Sequence, residues 1–431
     1  MNRMLTVRII VIYLVFMFLN PEQVLTQDTE IIPEECNDSN IKTILLNRSG
    51  QELSWPVIYF NSNEKLSLRF DYVGESKEDF YYSVVACTYD WKLNENPDHL
   101  YLDGFNSNLV ENKYTSFNTW KYYEHFMTDF PNEELKFLTS GNFIINVYKG
   151  PTTEEVAFSR KFCLTESKVN IKAEVKKPDP QNQEIQIEID IEKLELTNPL
   201  TEIKVVIIKN NDWNNQIDLA FRPVLKDNKL HIDLPNQLIT GGGNEFRYFD
   251  IKSIKYISDQ VDSIKYISPE THFYLKPDKL NQYVPYFSST DLNGRFYIDM
   301  EDAYDRHIEA DYVFVHFILE SVQAFPSEVY VYGALTNWET GENNYMNYNF
   351  EKGRYEKTLQ LKQGYYNYAY ATKDYSTQDI SFEYTEGNHS ETENEYAIFV
   401  YLREPMSDFD RLVGFRIVNS TGEEKEIRFT P

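Results

Sequence analysis

The sequence predicts an all-β protein of tandem, immunoglobulin-like β-sandwiches, and three observations carry that expectation. The 431 residues include 33 Tyr and 28 Phe, side chains that pack well on a pleated surface. From Glu184 to Leu196, Ile185, Ile187, Ile189 and Ile191 alternate with Gln186, Glu188, Asp190 and Glu192. A period of two puts the isoleucines on one face and the polar residues on the other, as in a half-buried strand. Turn signals recur at fairly even spacing, at Gly104, Gly150-Pro151, Asp227-Asn228, Gly241 to Gly243, Asn293-Gly294, Gly353 and Gly364, and no long segment has a 3.6-residue period. Many short strands punctuated in this way are the pattern of sandwiches. The Ile/acid alternation would also suit a membrane barrel, but most other strands carry charge on both faces.

In chain order the elements fall into four parts. Residues 1–26 read as an export signal, with Arg3 and Arg8 before the apolar run Ile9 to Leu19 and a cleavage end at Val24-Leu25-Thr26. Those eleven apolar residues fall short of the ~20 that a spanning helix needs. No Cys directly follows the run, so the mature chain is expected to be soluble in an exported compartment without a lipid anchor. Residues 27–170 form an expected first sandwich, with strands at Leu66 to Tyr72, Tyr81 to Thr88 and Asn142 to Tyr148. The polar stretch Lys176-Lys177-Pro178-Asp179-Pro180 reads as the linker that closes it. Residues 171–305 form a middle β domain with the Ile/acid strand and Ile203 to Ile208, ending where Asp299, Glu301, Asp302 and Asp305 cluster. Residues 306–431 form the last sandwich, with strands at Val313 to Leu319, Val329 to Tyr332, Tyr355 to Leu361 and Tyr396 to Leu402. One hexapeptide, Ser253-Ile-Lys-Tyr-Ile-Ser258, recurs at Ser263 to Ser268. Two copies do not make a solenoid, so a duplication lengthening a hairpin is expected.

The net charge of −26, from 68 acids against 42 bases, repels phosphate backbones and anionic membranes, so no nucleic-acid partner is expected. Cys36, Cys87 and Cys163 are too few for a disulfide framework or a Cys-rich metal site. Cys87 to Cys163 is the expected bridge if one forms, because both flank strand-like runs; buried free thiols are the alternative.

None of the seven histidines makes a His-Glu-x-x-His pair, and no nucleophile elbow, P-loop or dinucleotide fingerprint occurs. Gly241 to Gly243 lacks the Lys-Ser/Thr of a phosphate loop and reads as a flexible hairpin loop. Asp291-Leu-Asn293-Gly294 has Phe296 where a calcium loop needs glycine, leaving a plain β-turn. His125 reads as a packed, hydrogen-bonded histidine, and Cys87, beside Val84-Val85-Ala86, as a buried and inert thiol. No catalytic residue, metal or cofactor is therefore expected.

Two blocks carry a family resemblance. The first runs Tyr81-Tyr-Ser-Val-Val-Ala-Cys-Thr-Tyr-Asp-Trp91, Tyr101-Leu-Asp-Gly-Phe105, Ser116-Phe-Asn-Thr119, His125, Pro131-Asn132 and Ser140-Gly-Asn-Phe-Ile-Ile-Asn-Val-Tyr148. The second includes Asp291-Leu-Asn-Gly-Arg-Phe296, Glu309-Ala-Asp-Tyr-Val-Phe-Val-His-Phe317, Glu386-Gly-Asn-His389, Thr392-Glu-Asn-Glu-Tyr396, Tyr401-Leu-Arg403 and Phe409-Asp-Arg-Leu-Val-Gly414. In that order they resemble the type IX secretion system plug proteins. The resemblance implies a non-enzymatic periplasmic subunit at the inner face of the outer membrane. Its partner would be a giant outer-membrane β-barrel translocon, whose periplasmic mouth it seals as a monomer within a hetero-complex, meeting the membrane only through that partner.

Val329-Tyr-Val-Tyr-Gly-Ala-Leu-Thr-Asn-Trp338 and Gly364-Tyr-Tyr-Asn-Tyr-Ala-Tyr370 also resemble glycogen-binding-type immunoglobulin-like modules. That resemblance implies the alternative function, a periplasmic carbohydrate-binding protein, with Trp338 as the sugar-stacking ring. A second platform tryptophan is missing after Tyr370. Trp91, Trp120, Trp213 and Trp338 are the candidate partner or ligand contacts, since tryptophan is enriched at interface hot spots; burial in a domain core is the competing reading for each.

Overall fold

Each strand named from the alternation forms, from Leu66–Val73 through Glu395–Leu402, with ends within a few residues except that Asn182–Asp190 stops at Asp190 rather than continuing to Leu196. The computed structural model describes residues 34–422 apart from 35, 78, 152–154, 218–222, 234–237, 404–406 and 408, so the export-signal segment lies outside the described residues. Among the described residues, helices are single turns of four residues or fewer. The protein is all-β and sandwich-type, with three pairs of sheets, each closed over its own apolar cluster.

The first sandwich packs the sheet Ile41–Arg48, Leu66–Val73, Tyr123–Phe130, Asn112–Thr115 against the sheet Val57–Tyr59, Val156–Thr165, Gly141–Lys149, Phe80–Cys87, Asn108–Leu109. Phe70 is its hub: its ring lies 5.1 Å from Phe126, 5.0 Å from Phe80 and 4.9 Å from Phe158. In the second, Ile185, Ile187 and Ile189 of Asn182–Asp190 meet Val205, Ile207, Ile398 and Val400 of the facing sheet, so the predicted apolar face is the buried one. In the third, Phe273, Val315 and Phe317 of one sheet meet Val329, Tyr366, Tyr368 and Tyr370 of the other.

The second and third sandwiches are not consecutive in sequence. Ile203–Lys209 pairs along its whole length with Glu395–Leu402, which in turn pairs with Arg411–Asn419. The third sandwich is thus inserted between strands of the second. The expected boundary near 305 falls inside it, because Glu270–Leu275 pairs in parallel with Tyr312–Glu320. Lys176 to Pro180 is likewise a hairpin loop of the second sandwich rather than a linker. It joins two strands in continuous antiparallel register, and Asp179 Oδ1 accepts the Gln181 and Asn182 amides.

Gly241 to Gly243 is pinned, against the expectation of a flexible loop. The buried Lys209 ammonium donates to the Gly241 and Gly242 carbonyls at 2.8 and 2.9 Å, and a Cβ on Gly242 would collide with the His389 carbonyl. The second hexapeptide copy lies in the edge strand Val261–Ile267 of a hairpin, whereas the first forms no strand. The cysteines are free. Cys87 and Cys163 both stand opposite Asn142, on the two strands that flank it. Two interstrand steps of ~4.8 Å exceed the ~7 Å Cα separation that a disulfide spans.

Candidate partner-binding surface

Three of the four candidate tryptophans are buried where sandwiches meet. Trp91 and Trp213 touch edge to face at 5.2 Å, and Trp55, the tryptophan not singled out from sequence, meets Trp213 at 5.7 Å. They fill the seam between the outer face of the first sandwich, at Cys87, Ile144 and Cys163, and that of the second, at Val206, Ile208 and Phe399. Burial, opposed by Lys161, pushes the Cys87 thiol up to about 12, the direction that suppresses the thiolate. Trp338 is also buried, against Tyr332 at 5.6 Å and Phe246 at 6.0 Å. Its carbonyl accepts from Asn214 of the second sandwich at 3.0 Å. It is a packing residue here, not an open sugar platform.

Polar groups lock the same seams. Between the first and third sandwiches, the fully buried Asp71 accepts from Lys362 Nζ at 2.6 Å and from Tyr312 Oη at 2.7 Å, with His125 Nδ1 at 2.6 Å. Burial raises the Asp71 pKa, but Lys362 and His125 together hold it below the usual carboxylate range. Nearby, burial likewise opposes ionisation of Glu52, yet His307 and Arg306 hold it down at about 2. Between the second and third, Tyr332 Oη donates to Asp212 Oδ2 at 2.8 Å. Burial pushes Asp212 up to about 7, and Asp291 as well. A cavity of about 100 Å³ remains at the junction, lined by Arg160, Arg295, Trp213 and Trp338. Arg160 donates to Asn337 at 2.6 Å, Arg295 to the Leu53 carbonyl at 2.9 Å, and Arg295 also pairs with Glu395.

Trp120 is different: it is 65% exposed. Its loop belongs to the first sandwich but is tied to the third. The Trp120 and Lys121 amides donate to Asp311 at 2.6 and 3.0 Å, and the Phe117 amide to the Ile308 carbonyl at 2.8 Å. The Trp120 ring lies 5.5 Å from Tyr266 in the second hexapeptide copy. A concavity of about 390 Å³ runs from Trp120 to Ile254 of the first copy. It adjoins another of similar size under Tyr256 and Ile257, the two sharing Lys252, Ser253 and Glu301. Among the described residues, no group of three or more His, Cys, Asp and Glu side chains is placed to hold a metal.

Architecture and surface together define a multi-sandwich β protein with an exposed aromatic face at Trp120 and Tyr266 beside two adjoining concavities. The family follows from comparison. Residues 41–166, the first sandwich, match the model of the type 9 secretion system plug protein first domain. A crystal structure of a hypothetical protein from Parabacteroides merdae superposes with a TM-score of 0.86 at 31% identity, covering 90% of this chain and 98% of that one. No curated protein matches. The chain belongs to the type IX secretion system plug protein family.

Proposed function

We propose that this protein is the non-enzymatic plug subunit of a type IX translocon, sealing the periplasmic mouth of a giant outer-membrane β-barrel from the inner face of that membrane. The observation that carries the reading is the family match over 41–166. The architecture agrees with it: a plug needs bulk and a shape that does not collapse under load, and three sandwiches joined by buried aromatic and ionic seams provide both. The subunit acts as a monomer within a hetero-complex and reaches the membrane through its partner. The carbohydrate-binding alternative loses its main support with Trp338 packed beneath neighbouring rings.

The test is affinity purification of the tagged mature protein from the detergent-solubilised envelope of its native host, read by mass spectrometry. Stoichiometric recovery of a giant β-barrel is expected. Recovery of the protein alone, from cells that express such a barrel, overturns the assignment.

A further inference from the structure

We propose that the face around Trp120 and the open edge of Val261–Ile267 is the docking surface for an extended, aromatic-and-basic segment of the partner, added as a further strand. Three independent features point to that occupant. The first is the strand edge. Val261–Ile267 is the terminal strand of its sheet and pairs only with Glu270–Leu275. Among the described residues, no other backbone group bonds the outer edge of Asp262 to Ile267. An unpaired row of amides and carbonyls is a template for one more strand, which supplies main-chain affinity without a deep pocket.

The second is the apolar surface beside that edge. The duplicated hexapeptide sets two Tyr-Ile pairs into solvent: Tyr256 is 69% exposed, Ile257 58%, Tyr266 56% and Ile267 51%. Trp120, from another sandwich, completes the patch. Scattered exposed apolar residues are ordinary, but the Trp120–Tyr266 ring pair beside two adjoining concavities, one lined by Trp120 and the other by Tyr256 and Ile257, marks an interaction site.

The third is charge. The two concavities are lined by five acids, Asp250, Asp299, Glu301, Glu309 and Asp311, against two lysines, Lys252 and Lys255, and both lysines already face acids, Lys252 at Asp250 and Asp299 and Lys255 at Asp302. Glu301 lines both concavities and Asp302 is exposed. An acidic rim around an aromatic centre selects lysine or arginine flanking apolar side chains and disfavours acidic strands. A second copy of this chain, with its net charge of −26, is a poor occupant.

The proposal rests on the plug reading only for the identity of the partner, and the test separates the two. Benzoylphenylalanine is placed at Tyr256, at Ile267, or at Phe350, which is 83% exposed beside the opposite edge of the same sheet. Each full-length protein is irradiated in the native host and purified. The expected result is a cross-link to the barrel from positions 256 and 267 and none from 350. The double substitution Tyr256→Lys/Ile267→Lys, with an unchanged circular dichroism spectrum and melting temperature, should lower barrel recovery by about tenfold or more. If the unmodified protein recovers the barrel but cross-links arise only from 350, or the double variant recovers it fully, the surface is wrong and the plug reading stands. Cross-links from 267 only to another copy of this chain overturn the occupant. If the unmodified protein recovers no barrel, the plug reading falls and takes this proposal with it.

Discussion

Asp212→Asn should make the protein more stable above neutral pH. Asp212 is buried between the second and third sandwiches, where Oδ1 accepts the Asn214 amide at 3.0 Å and Oδ2 the Tyr332 hydroxyl at 2.8 Å. Glu34, Glu339 and Lys161 are the charges that face this pair. Burial raises the carboxyl from 3.8 to about 7, so the folded protein holds a proton that the unfolded chain has released. Stability therefore falls as pH rises from about 4 to about 7, by about 1.4 kcal/mol per pH unit. Moving one buried group from 3.8 to about 7 costs the fold up to about 4 kcal/mol once it is ionised. The asparagine oxygen keeps the Asn214 bond, while its amino group faces Tyr332, whose hydroxyl can accept as well as donate. Urea unfolding of the mature protein at pH 5 and pH 8 reads the effect. Wild type should lose stability between these values. The variant should lose about 2–4 kcal/mol less over the same range, with Asp291 contributing its own pH dependence to both. A variant less stable than wild type at pH 8, or one with an identical pH slope, would refute the account of Asp212.

Three further outcomes follow from the geometry. Lys362→Met should cost about 3–5 kcal/mol in urea unfolding, because it strands a buried Asp71, and adding Asp71→Asn should recover part of that loss. Gly294→Ala should destabilise by more than the ~1 kcal/mol expected of Gly50→Ala. Both glycines have positive φ, +78° and +77°, but only at Gly294 would a Cβ strike the Trp338 ring; equal melting temperatures would rule out the clash. Finally, Cys87 and Cys163 should resist alkylation at pH 8 in the native protein. All three thiols should react after denaturation without reductant, and a count of one would reveal a disulfide.

The strands were legible because their signal is local. Ile185, Ile187 and Ile189 declare their face by alternation alone, whatever covers them. Pairing is not local: nothing in Val205 or Ile207 distinguishes a neighbour ten residues away from Ile398 and Val400, so the insertion of the third sandwich could not be read. Tryptophan posed the same difficulty. Sequence identifies a large ring but not the surface that covers it, so Trp91, Trp213 and Trp338 could not be told from the exposed Trp120. The seam networks were more remote still. Asp71 and Lys362 are separated by 291 positions, and neither stands in a recognisable motif. The contact face did leave a trace, the repeated Ser-Ile-Lys-Tyr-Ile-Ser. Its meaning depended on the fold, which leaves the Tyr-Ile pair of each copy in solvent.

The placement of that face connects recognition to the integrity of the body. Trp120 comes from the first sandwich and Tyr266 from the third, so their contact exists only while the seam between them is closed. The seam is held nearby by the Trp120 and Lys121 amides on Asp311 and, deeper, by Lys362 on Asp71. A strand bound across both sandwiches would gain contacts only in the closed arrangement and would therefore stabilise it by its differential affinity. By the same linkage, opening the seam with Lys362→Met should weaken barrel recovery although residue 362 is buried away from the partner. If the proposed docking holds, the seated subunit would be rigid because its partner and its own seams favour one arrangement. Release at that edge would then need no unfolding, because losing an added strand breaks only main-chain bonds at the surface while the three cores stay closed.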